Sequence, residues 1–561
     1  MNPKPSAMSP PVPEGVWPLG VDTHNTYPLD LASQYMDFGD EYAIIASDPE
    51  AEWTKVTLDP AAPPQLSLDT QTVLNSTNDE LRNTFTDFSS EGSSQGSPSS
   101  TLSHVSLLPD FVHPLPPAID SATTEFLQVN GVFTLPSERL QSALLQSFVE
   151  CVLPSMPIVE WQDFLNSIYG RGGHSPISLL LFHAVMFSAT TFVDLKHLNE
   201  AGYSNRREAH ESFFQKAKLL YQACYEEDTL TIVQSMLLLT HRADAKDGDD
   251  SSHWIGIAIS MATSIGLLQD PNGTRNFHHS SRLWKRVAWA CYTTDCLISL
   301  RLRCQPNIPS IGFCHQTLTE DDFELYSLPE DNWILSPSCT VAYDANVQRE
   351  LARIYIANTR LCVCISEVLD FRGKANHLYA SAEPIISRNR DSLDKATRVS
   401  ISEYKLADWA DSLPSSCHAP SLESSNINDP TIAVQRSLLH LQFYTTIAIL
   451  HQMQPFQSSK FCVQHAASQI TLIASELYEK GLHDRLSIVG VTAILVALII
   501  HMSKLKASPS SERYQAIKNF QSCLDVMVSL RDVYWEAASV TEWASKAIES
   551  VVFDGVLELV D

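Results

Sequence analysis

No cysteine occurs before Cys151 in this chain of 561 residues. A thiolate metal site is therefore excluded from the first 150 positions. The twelve cysteines that do occur are scattered, with no Cys-x-x-Cys pair. The closest two, Cys362 and Cys364, stand nearer together than structural zinc ligands do. The N-terminus has neither the basic region nor the apolar region of a secretory signal, so the thiols are read as reduced and intracellular. The longest apolar run, 486–500, ends at His501. It is shorter than the roughly 20 residues that span a bilayer, so it reads as a buried core helix and no membrane association is expected. Absent too are Gly-x-Gly-x-x-Gly, a phosphate-binding loop, His-Glu-x-x-His and any heptad run long enough for a coiled coil. Positive charge is scarce: 38 Lys and Arg against 65 Asp and Glu give a net of −27. Such a surface repels phosphate backbones, so unaided nucleic-acid binding is not expected.

What is present divides the chain in two. Residues 1–130 hold 18 acidic and 3 basic side chains, a net of −15, which leaves −12 for the remainder. Pro, Ser, Asp and Thr dominate there, and 88–103 is nearly pure Ser, Gly, Gln and Pro. So little apolar surface cannot offset chain entropy, and the stretch reads as a disordered acidic arm. One island breaks the pattern: Tyr27, Leu31, Tyr35, Phe38 and Tyr42 are interleaved with Asp37 and Asp40. A weaker echo, with Phe85, Asp87 and Phe88, lies at 81–88.

From about residue 135 the apolar spacing turns helical. Ser137 predicts a cap for a helix running to Leu153, with Leu140, Leu144, Phe148 and Cys151 on one face. Ser175-Pro176 predicts a second start, opening a stripe of Ile177, Leu181, Ala184, Phe187 and Thr191. Trp254, Ala258, Met261, Ile265 and Leu268 form a third stripe, expected to stop at the turn Asp270-Pro271-Asn272-Gly273. Leu283, Val287, Ala290, Thr294 and Leu297 form a fourth. Ser508-Pro509 opens a fifth with Ile517, Phe520, Leu524, Met527 and Leu530. Period-two alternation is scarce. The expected fold is all-α: one large multi-helix body over 135–561 behind the acidic arm, with long loops near 242–252, 305–345 and 412–430.

The segment from Trp254 carries the most specific pattern. It reads Trp254-Ile-Gly-Ile-Ala-Ile-Ser-Met-Ala, then Ile265-Gly-Leu-Leu-Gln-Asp-Pro. It continues as Arg282-Leu-Trp-Lys-Arg-Val-Ala-Trp-Ala-Cys-Tyr-Thr-Thr-Asp295 and closes near Pro306-Asn-Ile308. This resembles the hallmark stretch of the fungal transcription-factor regulatory domain, also called the middle homology region. The residues that carry the hallmark are Trp254, Gly266, Leu267, Arg282, Leu283, Trp284, Asp295 and Pro306. Further features look like the subgroup named for the cutinase transcription factor. They are the Leu153-Pro154-Ser155-Met156-Pro157-Ile158 turn, the run from Ala184 to Asp194, Ser204-Asn-Arg-Arg-Glu-Ala209 and Asp321-Asp322-Phe323. Leu439-His-Leu-Gln-Phe-Tyr444 with His451, and Leu530-Arg-Asp-Val-Tyr-Trp535, belong with them. Two places depart from the family. Its Asp-Arg is here Asp295-Cys296, and its Gly-Arg-Pro or Arg-Arg-Pro is Arg303-Cys304-Gln305-Pro306.

The resemblance implies a nuclear regulator of fungal transcription that controls a metabolic or secondary-metabolite gene set. Members usually carry an N-terminal zinc cluster, built by six thiolates around two zinc ions, that reaches the major groove. With no thiolate before Cys151, DNA contact is expected to be indirect, through a DNA-binding transcription factor as partner. The alternative is a zinc cluster encoded in a missing upstream exon. In this context the island at 27–45 suits an activation segment. Its acids keep the apolar groups solvated until a coactivator groove accepts them as a short helix. An acidic linker that happens to hold aromatics is the plainer reading. A small-molecule effector is a further expectation, because large helical domains can enclose apolar pockets. No Lys/Arg run marks nuclear import, so the nucleus is implied by the resemblance alone.

An enzyme reading finds little support. Asp244, Asp247, Asp249 and Asp250, and the run Asp321-Asp322-Phe323-Glu324, would have to hold magnesium–diphosphate in a helical fold. That chemistry wants carboxylates one helical turn apart, and these spacings read as solvated loop. Gly173-His174-Ser175 lacks the strand and closing glycine of a nucleophile elbow. The pairs His278-His279, Cys314-His315 and Cys417-His418 are adjacent residues, which rarely ligate one metal together. No catalytic, metal or cofactor residue is assigned. Arg282, Lys285, Arg286, Arg301 and Arg303 concentrate positive charge near Trp284, Trp289 and Tyr292. They are read as members of internal salt bridges rather than a nucleic-acid surface.

Overall fold

The computed structural model describes residues 108–169, 175–242, 250–269, 281–309, 313, 316–328, 335–380, 385–418, 429–452, 457–507 and 510–557. The candidate activation segment from Tyr27 to Tyr42 lies outside them. So do Asp244, Asp247 and Asp249, the 270–273 turn, Gly173-His174, His278-His279, Cys314-His315 and Ser508-Pro509.

The described chain is helical and carries no strand. Its first elements are α1 (Ser121–Val129), α2 (Glu138–Ser147), α3 (Trp161–Ile168) and α4 (Leu179–Thr190). Next come α5 (Leu195–Glu200), α6 (Arg206–Gln222), α7 (Thr229–Leu239), α8 (Ser251–Ser264) and α9 (Ser281–Leu302). After the short α10 (Thr340–Tyr343) follow α11 (Ala345–Ala380), α12 (Ile385–Asp411) and α13 (Pro430–Gln452). The last four are α14 (Gln457–Glu479), α15 (Ile488–Ala507), α16 (Ser510–Ser529) and α17 (Trp535–Leu557).

The starts obey one rule. Asp120, Ser137, Ser178, Asp194, Asn205, Asp228 and Asp250 each accept a backbone N–H of the turn they open. Those donors have no partner inside the helix, so a short polar side chain is favoured there. Ser137 caps α2 as its sequence predicts, and a π-helical turn, Phe148–Val152, carries the chain on to Leu153. At α4 the cap is Ser178, not Ser175. Ile177 is held extended instead: its N–H donates to the Phe111 carbonyl at 2.8 Å, and its own carbonyl accepts from His113 at 2.9 Å. Proline at 176 biases Ser175 toward the same extended backbone.

Two helices are buried almost all round and organise the body. Every residue of α4 is buried, and α4 packs against α6 and α7. The other is α13, which packs against α11, α14 and α15. The Ile488–Leu505 stretch of α15 is long and apolar enough to cross a membrane by composition. It packs against α13, α14, α16 and α17 with most of its residues buried, the place of a core helix. Leu108, Val112, Leu127, Val132 and Phe133 also join the common core. The packed body thus begins ahead of residue 135. Composition conceals this, because Leu127 is the one buried residue of α1.

Candidate regulatory site

The hallmark residues fall on α8, α9 and the segments that end them. Trp254 of α8 is 1% exposed. Its indole meets the Phe214 ring edge-on at 5.7 Å and Tyr221 at 6.1 Å, which fixes α8 on α6. Gly266 ends the helix earlier than the 270–273 turn would. Its φ of +73° is left-handed, a conformation glycine adopts without penalty. This lets the Leu267 N–H return to the Ala262 carbonyl at 2.8 Å and the Gly266 N–H to Thr263 at 3.0 Å, a Schellman cap. Leu267 then buries over the last turn. Leu283 and Trp284 are half-buried against the core, while Arg282 at the start of α9 is exposed.

Asp295 and Pro306 act together. Asp295, 1% exposed on α9, accepts the Ile308 N–H at 2.8 Å and the Asn307 side-chain amide at 2.9 Å. Pro306 is buried and stiffens the turn those donors come from. Burial pushes the Asp295 carboxyl up to about 6, and the two donors pull against it. The departures from the family sit beside this clamp. Cys296 is buried, its Sγ 3.2 Å from the Cys362 carbonyl, and Arg303 takes a left-handed φ of +56° past the end of α9.

Of the basic group, Lys285, Arg286 and Arg301 are engaged internally, while Arg282 is exposed. Arg286 is 2% exposed; its Nε donates to the Pro157 carbonyl at 2.9 Å and its Nη1 to the Asp322 carbonyl at 2.7 Å. Glu160 lies 4.0 Å from its Nη2. Burial lowers the Arg286 pKa, against the pull of Glu324, Glu160 and Asp322. Burial in turn pushes Glu324 up to about 7, with Arg286 opposing. Lys285 pairs with Asp322 at 2.7 Å, and Arg353 pairs with Glu320 at 2.7 Å. The run 320–324 is thus a docking strip for α9 and α11. Asp250 serves as the α8 cap. Among the described residues no three His, Cys, Asp or Glu side chains converge to hold a metal.

One constellation in the body has the look of a catalytic relay. The His451 Nε2–H donates to Glu403 at 3.2 Å, and its Nδ1 accepts from the Ser459 hydroxyl at 3.2 Å. Ser459 is 4% exposed, so no substrate reaches its oxygen. Burial holds His451 neutral, with a pKa down at about 4, and the contact with Glu403 is then a hydrogen bond rather than an ion pair. The trio fastens α12, α13 and α14 together.

Two cavities adjoin the hallmark region. The smaller, about 60 Å³, lies beside Arg286 and Glu324. The larger, about 120 Å³, lies where the ends of α4 and α7, the middles of α9, α11 and α13 and the starts of α15 and α17 converge. Its walls are mixed. Leu297, Ile298 and Ile488 are apolar, while His241, Arg301 and Gln442 bring polar atoms. Arg301 reaches the Ser251 hydroxyl and the Glu536 carboxylate at 3.4 Å, tying α8 to α17 across one end. Sequence reasoning passed over His241, and it quoted Gln442 only as part of the Leu439–Tyr444 family run, with no part in a pocket.

The model of the fungal specific transcription factor domain fits residues 145–479. A protein named cutinase transcription factor 1 beta, from Fusarium vanettenii, is 38% identical over 472 residues, 80% of this chain and 54% of the relative. A transcription factor of Fusarium pseudograminearum is 30% identical over 477 residues, 80% of this chain and 52% of the relative. The transcription factor cpaR of Aspergillus oryzae is 29% identical over 477 residues, 80% of this chain and 76% of the relative. The chain spans about half the length of the two Fusarium relatives. All three are named as transcription factors, not enzymes. With more than half of its length matched by the domain model, the chain belongs to the fungal-specific transcription factor domain family.

Proposed function

We propose that this chain is a nuclear regulator of fungal transcription that governs a metabolic or secondary-metabolite gene set. The observation that carries the reading is the match of the family model over residues 145–479. The helical body serves as the regulatory domain and answers to a small-molecule effector, a reading favoured by the cavity at its centre. DNA contact through a DNA-binding partner belongs to this proposal, and the net charge of −27, which repels phosphate backbones, supports it. A cysteine-rich segment encoded upstream of Met1 is the second reading, favoured by the greater length of the Fusarium relatives.

The test compares promoter occupancy of the tagged protein in its host with binding of the purified protein to the same fragments. Occupancy in the cell without binding in vitro is the expected result. Binding in both settings would place a DNA-reading surface in the chain itself and overturn partner recruitment. Occupancy in neither would remove the promoter role. A cysteine- and lysine-rich reading frame upstream of Met1 would replace the partner with a missing segment.

The acidic arm supplies activation by recruiting coactivators through the 27–45 island. Fused to an unrelated DNA-binding module, residues 27–45 are expected to raise reporter transcription several-fold. Alanine at Tyr35, Phe38 and Tyr42 is expected to abolish that gain, since the apolar anchors and not the acids enter the groove. Unchanged output would return the island to the status of a linker.

A further inference from the structure

Among the polar side chains that line the central cavity are Gln442 and His241, and the first carries a buried atom that the protein leaves without a partner. Gln442 is 6% exposed and lines the cavity, and its Oε1 has no hydrogen-bond partner. A buried orphan of this kind costs stability, and an apolar residue of the same shape would remove the cost. His241 lines the same space. Its Nδ1–H donates to the Leu238 carbonyl at 3.0 Å, and burial keeps the ring neutral with a pKa down at about 4. A neutral imidazole that donates through Nδ1 accepts through Nε2.

The charges around these acceptors limit what fits. Among the described residues lining the cavity no carboxylate occurs, and Arg301 is the one permanent cation. Arg301 is already engaged by Glu536 and Ser251. A cationic ligand would find no carboxylate, and an anionic one would have to draw Arg301 from Glu536. Leu297, Ile298 and Ile488 supply an apolar wall. At about 120 Å³ the cavity admits on the order of ten non-hydrogen atoms.

We infer that this cavity binds a small neutral amphipathic molecule, which presents hydroxyl or amide hydrogens to Gln442 and His241 and an apolar body to Leu297 and Ile488. The inference rests on the reading of the body as effector-responsive and names the chemical class of the effector.

The probes are benzyl alcohol and benzamide, with benzoate, benzylamine and toluene as charged and donor-free controls. Each is titrated into the full-length protein and followed by ligand-observed NMR and thermal shift. The two neutral donors are expected to bind, and toluene to bind roughly tenfold more weakly, the loss of one hydrogen bond. Gln442→Met keeps the side-chain length and removes the orphan, so it is expected to melt no lower than the native protein. It should weaken benzyl alcohol and benzamide roughly tenfold and leave toluene unchanged. Tighter binding of benzoate or benzylamine, or a Gln442→Met protein that binds the neutral donors undiminished, would overturn the chemical class and leave an effector site standing. No binding by any of the five would overturn the class and the effector site together.

Discussion

Arg286→Met is expected to destabilise the helical body by about 3–5 kcal/mol, read from urea unfolding of the full-length protein. The arginine is buried and joins three parts of the chain that are far apart in sequence: α9, the turn at Pro157 and the strip at Asp322. Removing it orphans one buried and one part-buried carbonyl contact and leaves Glu324 without the charge that opposes its burial. Arg286→Lys is expected to recover little. An ammonium cannot address two carbonyls in different directions from one planar group. Lys285→Met is the control. Its pair with Asp322 is partly exposed, so a cost of about 1 kcal/mol is expected. A loss of under about 1 kcal/mol at Arg286 would mean that the body holds together without this junction.

The junction also carries a pH signature. Glu324 titrates at about 7 in the fold against 4.5 as its ordinary value. A carboxyl raised in this way contributes stability that is fully present below the unfolded value and is lost as pH rises through 7. Glu324→Gln removes the titration, so that part of the slope between pH 4.5 and 7 is expected to disappear.

How much of this was legible in the sequence depends on the range of the interaction. Caps are local, and Ser137 predicted the start of α2 because the cap and its donor lie three residues apart. Stripes are local too, which is why α8 and α9 fall on the residues their spacing marked. Ser175 misled because a bridge to residue 112, more than sixty positions away, holds Ile177 extended. The end of α8 misled because Gly266 supplies a left-handed cap before the stronger-looking proline turn is reached. α4 carried a stripe in its sequence, yet it is buried on all sides and the stripe selects no face. The hallmark residues could be named from the family pattern, but their tasks could not. That Asp295 holds Ile308, or that Arg286 reaches Pro157, follows only once the helices are placed. The central cavity is the extreme case. His241 and Gln442 are two hundred residues apart in the chain, and only the packing brings both to one space.

Asp295→Ala is expected to cost about 3 kcal/mol near pH 4, and less as pH rises. The carboxyl holds two donors, the Ile308 N–H and the Asn307 amide; alanine leaves the first buried without an acceptor and releases the amide of the exposed Asn307. Asp295→Asn is expected to recover part of the loss. Its single oxygen can accept from one donor, while its own N–H₂ is turned against the other. The pH dependence follows from the raised carboxyl, about 6 in the fold against 3.8 ordinarily. The stability Asp295 contributes is fully present below 3.8 and declines as pH rises through 6, because ionising a buried carboxyl is opposed by its desolvation. Native protein and Asp295→Ala should therefore converge on moving from pH 4 to pH 7, as measured by unfolding free energies across that range. A gap that widens instead would mean that the two donors outweigh burial and hold the carboxyl below its ordinary value. The hallmark aspartate would then be an anion anchored by its turn. The expected result makes it a strained clamp: ionisation strengthens its hydrogen bonds to the Pro306 turn, but burying the charge costs more than those bonds return.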